Sequence, residues 1–326
     1  MQKLSHYLRY NPIQALLAYD NPALQYFVKR DLEDQEVSPI SAIWELPEVT
    51  RITRRQQADG SWKYPRKMGE MQRPYEMYET MKQIGFLIEM YELDSTNEVI
   101  DRAAKFLFSF QTEQGDFRGI YGNQYSPNYS ATIAEHLIKA GYQNEKHVIN
   151  CLEWLLAIRQ DDGGWAIPAR TRVATLGEMY SARETLEPDR SRPFSHLITD
   201  IVLRAFAAHP DYRGREEIRQ AGELLKGRFF KTDTYPDHKA ASCWVSFQYP
   251  FFWSHLISAL DSLANMEFPK TDQDIKPALD WFIYNQEQDG LWPTGYGSDL
   301  TNPNRLAVRY WVGLAICRML KKYLLK

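Results

Sequence analysis

Along this chain, apolar residues recur three and four positions apart in run after run, the spacing that lines one face of a helix. Residues 103–110, 151–158 and 278–283 are such runs, and each leads into a short polar turn built on glycine. Past the turn, after a connection of uneven length, a second helical run follows: 75–91, 129–139, 194–208, 251–263 and 306–320. Pro74, Pro127, Pro193 and Pro250 open four of these near the first helical turn, where a missing N–H costs nothing. Two further runs, 12–19 and 23–33, precede the first turn. The alternation that marks strands is poor throughout, with one short extended piece expected at 242–249.

The turns are alike. They read Gln56-Gln57-Ala58-Asp59-Gly60-Ser61-Trp62, Gln111-Thr112-Glu113-Gln114-Gly115-Asp116-Phe117, Arg159-Gln160-Asp161-Asp162-Gly163-Gly164-Trp165 and Gln286-Glu287-Gln288-Asp289-Gly290-Leu291-Trp292, with a weaker copy around Gly227. Glycine can end a helix in the left-handed conformation, and the acid before it can accept free amide protons. The glutamine amide is suited to exposed main-chain groups, and the aromatic covers the helix end, so Trp62, Trp165 and Trp292 are expected to be buried. A repeat of this length means helical hairpins, none of which buries its apolar face alone. Five hairpins over 41–326 and an N-terminal helical pair over 1–40 make about six, enough to close a ring. The expected fold is all-α, an α/α toroid forming a single domain over 1–326.

Composition adds one thing to that picture: aromatics reach 13% of residues and need a place. A net charge of -3 gives nucleic acid no electrostatic footprint to bind. The opening Met1-Gln2-Lys3-Leu4-Ser5-His6 has no apolar core of the signal-peptide kind, and no apolar run reaches membrane-spanning length, so a cytoplasmic location is expected, with peripheral membrane contact left open. Cys151, Cys243 and Cys317 are odd in number and far apart, which fits free thiols.

These turns resemble the QW repeats of the terpenoid cyclases and protein prenyltransferases, the family that includes squalene–hopene cyclase. The resemblance implies outer helices feeding through the turns into six inner helices around a deep aromatic-lined cavity. The family's chemistry is not matched. No Asp-x-Asp-Asp or Asp-Asp-x-x-Asp motif occurs, and Asn128-Tyr129-Ser130-Ala131-Thr132 stands where the cyclase acid would lie. The segment 236–244 is similar to the prenyltransferase zinc region, but Ala241 replaces its Asp and Leu306 stands near the place of its distant His. Neither a metal nor another cofactor is expected.

Several residues are candidates for a site on the proposed inner helices. Tyr75, Tyr78, Tyr129, Trp253, Tyr310 and Trp311 supply aromatic walls, and His136, His196 and His255 share the tripeptide His-Leu-Ile, which invites a common orientation. Repeat divergence is the plainer account of those histidines. Arg73, Arg118, Arg192, Lys239, Arg305 and Arg309 follow the turns, beside Arg66, Lys67, Arg170 and Arg172, and could form a basic rim for an anionic head; loop solvation explains them equally well. Glu76, Glu79 and Asp200, with His196, are candidate acid–base groups, and Asp261 is a further acid on an inner run. The leading reading is a central cavity for an isoprenoid or other elongated apolar small molecule, with turnover left open. A carbohydrate-active toroid, whose aromatics stack on sugars beside paired carboxylates, and a non-catalytic scaffold are the alternatives.

Overall fold

The computed structural model describes residues 4–173, 175–295 and 302–325. Its helices are α1 (Ile13–Ala18), α2 (Pro22–Phe27), α3 (Pro47–Thr53), α4 (Gln72–Tyr91), α5 (Glu98–Phe108), α6 (Pro127–Leu137) and α7 (Lys146–Ala157). Then come the short α8 (Pro168–Arg172) and α9 (Leu176–Ser181), followed by α10 (His196–Ala208), α11 (Glu216–Lys226), α12 (Leu256–Asn265), α13 (Ile275–Tyr284) and α14 (Pro303–Leu324). Among the described residues no strand forms beyond an isolated bridge between Gln56 and Trp62.

Six of these helices close on themselves. α4 packs on α6, α6 on α10, α10 on α12, α12 on α14, α14 on α2, and α2 on α4. The outer helices lie behind them: α1 packs on α2, α3 and α5 on α4, α7 on α6, and α11 on α10 and α12. The fold is an α/α toroid. Burial tells the two layers apart. α10 is buried without a break from His196 to Ala207, as a helix with neighbours on every side must be, whereas α5 buries only the stripe Ile100, Ala103, Ala104, Phe106 and Leu107.

The turns hold the layers together with one repeated set of bonds. Gln57, Thr112, Gln160 and Glu287 each donate N–H to a carbonyl four residues on, at 2.8–2.9 Å. The following glycines have φ of +89°, +103°, +100° and +87°, where a side chain is strained. Gln56 Nε2 donates to Gly60 O and to Val99 O of α5, Gln111 to Gly115 O and His147 O of α7, so each amide ties its own turn to the next outer helix. Gln286 makes the same pair of bonds, but its outward one runs to Tyr10 O at 2.9 Å, joining the last repeat to the first hairpin. Trp62, Trp165 and Trp292 are buried, and each indole donates to the carbonyl ten residues back, at 2.9, 2.7 and 2.6 Å.

Three expectations need correction. Gly227 keeps the place of a turn glycine but has right-handed φ of −65°, so the weakest repeat lacks the turn. Residues 242–249 are not an extended piece, since Ala241–Val245 winds into a 3₁₀ turn. The inner helix expected from 251 starts at Leu256, because His255 and Ser258 form a reciprocal cap there.

Candidate functional site

What the helix starting late leaves behind is a strap, residues 248–253, that lies between two chambers. Tyr249 and Phe251 border two chambers at once. On one side lies an aromatic chamber of about 460 Å³, walled by Tyr78, Met81, Phe86, Phe252, Trp253 and Val308, with Lys82, Thr132 and His136 among its polar members. On the other lies a charged chamber of about 690 Å³ at the C-terminal ends of the inner helices.

The strap is anchored at several points. Phe247 N–H donates to Thr294 O at 2.7 Å, and the Tyr249 hydroxyl donates to Glu89 O at 2.8 Å. The Tyr249 ring stacks on Trp311 at 5.9 Å, and Phe252 meets the edge of Tyr78 at 6.3 Å. Burial, with Glu89 nearby, pushes the Tyr249 phenol well above its usual value, so it stays a neutral donor.

In the charged chamber every cation has an acid. Arg30 forks onto Glu92 and pairs with Asp31, Arg318 pairs with Asp31, Lys139 with Glu89 and Glu135, Lys321 with Asp34, and Lys322 with Asp261. Cations suit helix C-termini, where unsatisfied carbonyls leave negative potential. Burial alone would lower the Lys139 pKa, but the carboxylates of Glu135 and Glu89 outweigh it and raise it.

The residues singled out from sequence scatter. Tyr78, His136 and Trp253 line the aromatic chamber. Tyr129 lies one layer back, 5.8 Å edge-on from Tyr78, and Trp311 is the stacking partner behind Tyr249. Tyr75 packs on Tyr64 and Tyr310 stacks on Tyr19 at 4.1 Å, so these two rings do not belong to the wall. The three histidines do not converge, because the shared tripeptide falls at the start of α10, at the cap of α12 and in the last turn of α6. His196 packs on Trp244 with its Nε2 3.7 Å from Asp233, and burial lowers it to about 4 against the pull of that acid. His255 accepts from Ser258 N–H, and burial lowers it to about 3.

The basic rim is also reassigned. Arg73 pairs with the turn acid Asp59 and Arg309 with Asp289 and Glu287, because these arginines lie in the first two turns of inner helices beside the preceding repeat turn. Arg118 holds Asp116 and the Asn123 carbonyl. Arg192 and Lys239 are exposed, and Arg305 sits on a groove with Gln248, Thr294, Asn304 and Val308 that adjoins the aromatic chamber through Gln248 and Val308. Cys243 Sγ is 4.0 Å from His238 Nδ1, and among the described residues no three His, Cys, Asp or Glu side chains converge as a metal-ligating group.

The acids lie outside the aromatic wall. Glu76 accepts from Gln72 at 3.1 Å, and Glu79 from Gln83 at 2.6 Å with Lys82 at 3.3 Å. Asp200 is wholly buried between α10 and α12, accepts from the Ser258 hydroxyl at 2.6 Å, and is pushed up to about 6 by burial. A carboxyl raised in the fold keeps its proton longer than in the unfolded chain. Its contribution is therefore fully present below pH 3.8 and lost as pH rises through about 6. Asp200→Asn should thus stabilise at pH 8 by on the order of 2–3 kcal/mol and change little at pH 3.5. Denaturant unfolding at both pH values checks this; an equal effect at each would place the carboxylate in a charge-satisfied environment instead.

No protein-family model matches the sequence, and no curated protein matches it. Solved structures do. A variant of the type II terpene cyclase MstE from Scytonema, in complex with its substrate geranylgeranyl dihydroxybenzoate, is 13% identical, with 87% of this chain and 95% of that one covered, at a TM-score of 0.38. A protein from Actinoplanes is 16% identical over 84% and 96% of the two chains, at 0.32. The apo form of MstE is 13% identical over 86% and 96%, at 0.30. At these TM-scores nothing about ligand or chemistry carries across, so both are argued from this chain's own residues.

Proposed function

We propose that the aromatic chamber binds an elongated apolar small molecule of the isoprenoid type. The observation that carries this is Phe86, a large apolar side chain on an inner helix that lines the chamber and is left 37% exposed. A toroid that served only as a scaffold would fill that space with side chains. A volume of about 460 Å³ falls in the range that holds small organic ligands, and the mainly aromatic and aliphatic wall favours apolar matter over sugar. Carboxylate groups suited to sugar chemistry lie across the strap instead, committed to ion pairs. The proposal is one of binding, since none of Glu76, Glu79 and Asp200 belongs to the chamber wall.

Titration with farnesyl and geranylgeranyl compounds, followed by the fluorescence of Trp253 in the wall, is expected to saturate at micromolar ligand. Phe252→Ala, which removes a ring from the wall, should weaken binding about tenfold or more, the scale of one buried aromatic contact. A flat titration across both chain lengths would reject the reading.

A further inference from the structure

One polar group on the aromatic chamber has been given space that the helix could have closed. Gly85 lies in the middle of α4, where glycine costs about 1 kcal/mol relative to alanine. A Cβ at that position would stand 2.7 Å from Cε1 and 3.1 Å from Nε2 of His136. The imidazole of α6 therefore lies against the α4 backbone at a spot that only glycine leaves open. His136 lines the chamber and is 5% exposed, and its Nδ1 is sealed with no hydrogen-bond partner among the described residues. Burial pushes its pKa below the usual histidine value despite the carboxylates of Glu135 and Glu89, with Lys139 and Arg204 acting in the same direction as burial, so the ring is neutral. A neutral imidazole carries one proton, and a sealed N–H without an acceptor is rarer than a sealed lone pair. The proton then belongs on Nε2. Of the other polar groups on the chamber, Lys82 pairs with Glu79 and lies over the Tyr78 ring and the Tyr249 hydroxyl bonds Glu89 O, while Thr132 stands one helical turn before His136 on α6.

We propose that the chamber selects apolar ligands bearing a neutral oxygen acceptor, an alcohol, ketone or ether, held by the Nε2–H of His136. This rests on the reading of the chamber as a ligand site. A diphosphate or carboxylate placed there would meet a mainly apolar wall whose one lysine, Lys82, already pairs with Glu79, whereas a neutral oxygen needs only the one donor.

The test is competition of geranylgeraniol, its deoxygenated hydrocarbon and geranylgeranyl diphosphate against a fluorescent apolar probe. The alcohol is expected to displace the probe at about fivefold to tenfold lower concentration than the hydrocarbon, the worth of one neutral hydrogen bond, and to outcompete the diphosphate. His136→Leu should close the gap by weakening the alcohol relative to the hydrocarbon, and His136→Gln, which keeps a donor, should retain part of it. Gly85→Ala, which displaces the ring without removing it, gives an independent check and should also narrow the gap. Equal affinity for alcohol and hydrocarbon, tightest binding by the diphosphate, or a gap that survives both His136→Leu and Gly85→Ala overturns the proposal while leaving the chamber a ligand site. Displacement by none of the three compounds rejects the chamber reading itself, and the proposal with it.

Discussion

Replacing Trp165 by alanine is expected to cost about 3–5 kcal/mol, the usual cost of deleting a packed large aromatic. The side chain is fully buried, stacks on Phe206 at 5.7 Å and lies under the Arg159 guanidinium. Its indole also satisfies the Leu155 carbonyl near the end of α7, an orphan acceptor that alanine would leave bare. Trp165→Phe separates the two contributions. The second repeat already carries Phe117 in this place, itself buried and without an N–H to give, so the pocket type tolerates phenylalanine. A loss of about 1–2 kcal/mol is expected for that variant, the share of the hydrogen bond plus the missing ring. Denaturant unfolding would settle both values, and a Trp165→Ala loss below 1 kcal/mol would remove these turns from the structural account given above.

The second large effect is electrostatic. Arg204 on α10 donates to Glu135 on α6 at 2.9 Å, with both side chains almost wholly buried. Burial would raise the Glu135 pKa, but Arg204, then Lys139, overcome it and hold the carboxyl below its usual range. Arg204→Met leaves that carboxylate with Lys139 alone, and a loss of roughly 3 kcal/mol is expected, since a buried charge deprived of its partner is costly. The double variant Arg204→Met/Glu135→Leu should recover most of it, because a well-packed apolar pair avoids the desolvation altogether. The sign with pH follows from the depressed pKa. The carboxylate's contribution is present above its unfolded value of 4.5 and is lost as pH falls through the folded one, so the gap between wild type and Arg204→Met should shrink at pH 3. A gap that is constant from pH 7 to pH 3 would show that Arg204 acts through packing rather than through charge.

The turns were legible in the sequence because their chemistry is local: glycine, acid, amide and aromatic all act within seven residues. The ring followed from counting them. The lumen was not legible, for two reasons. Pro250-Phe251-Phe252-Trp253 reads as a helix start with helical spacing behind it, yet the cap at His255 and Ser258 lies downstream and turns those aromatics into the strap. The charged chamber draws Arg30, Glu89, Lys139, Asp261 and Arg318 from five different stretches of chain, each of them an unremarkable charge on its own helix. Two arginines of the expected rim were drawn elsewhere on the same ground. Asp59 and Asp289 were rightly expected to accept turn amides, but a carboxylate has lone pairs to spare, and Arg73 and Arg309 take them. His-Leu-Ile gathers no site, in line with repeat divergence, because an identical tripeptide points in different directions at the two ends of a helix.

The bond from Gln286 to Tyr10 has a consequence for how this protein comes apart. In an open stack of repeats the end units have one neighbour each and fray first, so partly melted states are populated. Here the seam between last and first hairpin is fastened by the same amide clasp that Gln56 and Gln111 make at the first two turns, so the first and last hairpins are not free ends. Opening any one junction leaves the rest of the circle strained toward a curvature it cannot close, so melting is expected as one step rather than as a zipper. The same circle fixes the number of hairpins. Extra length enters only where it leaves the circumference alone, as in the long connections that carry α8, α9 and the lumen strap.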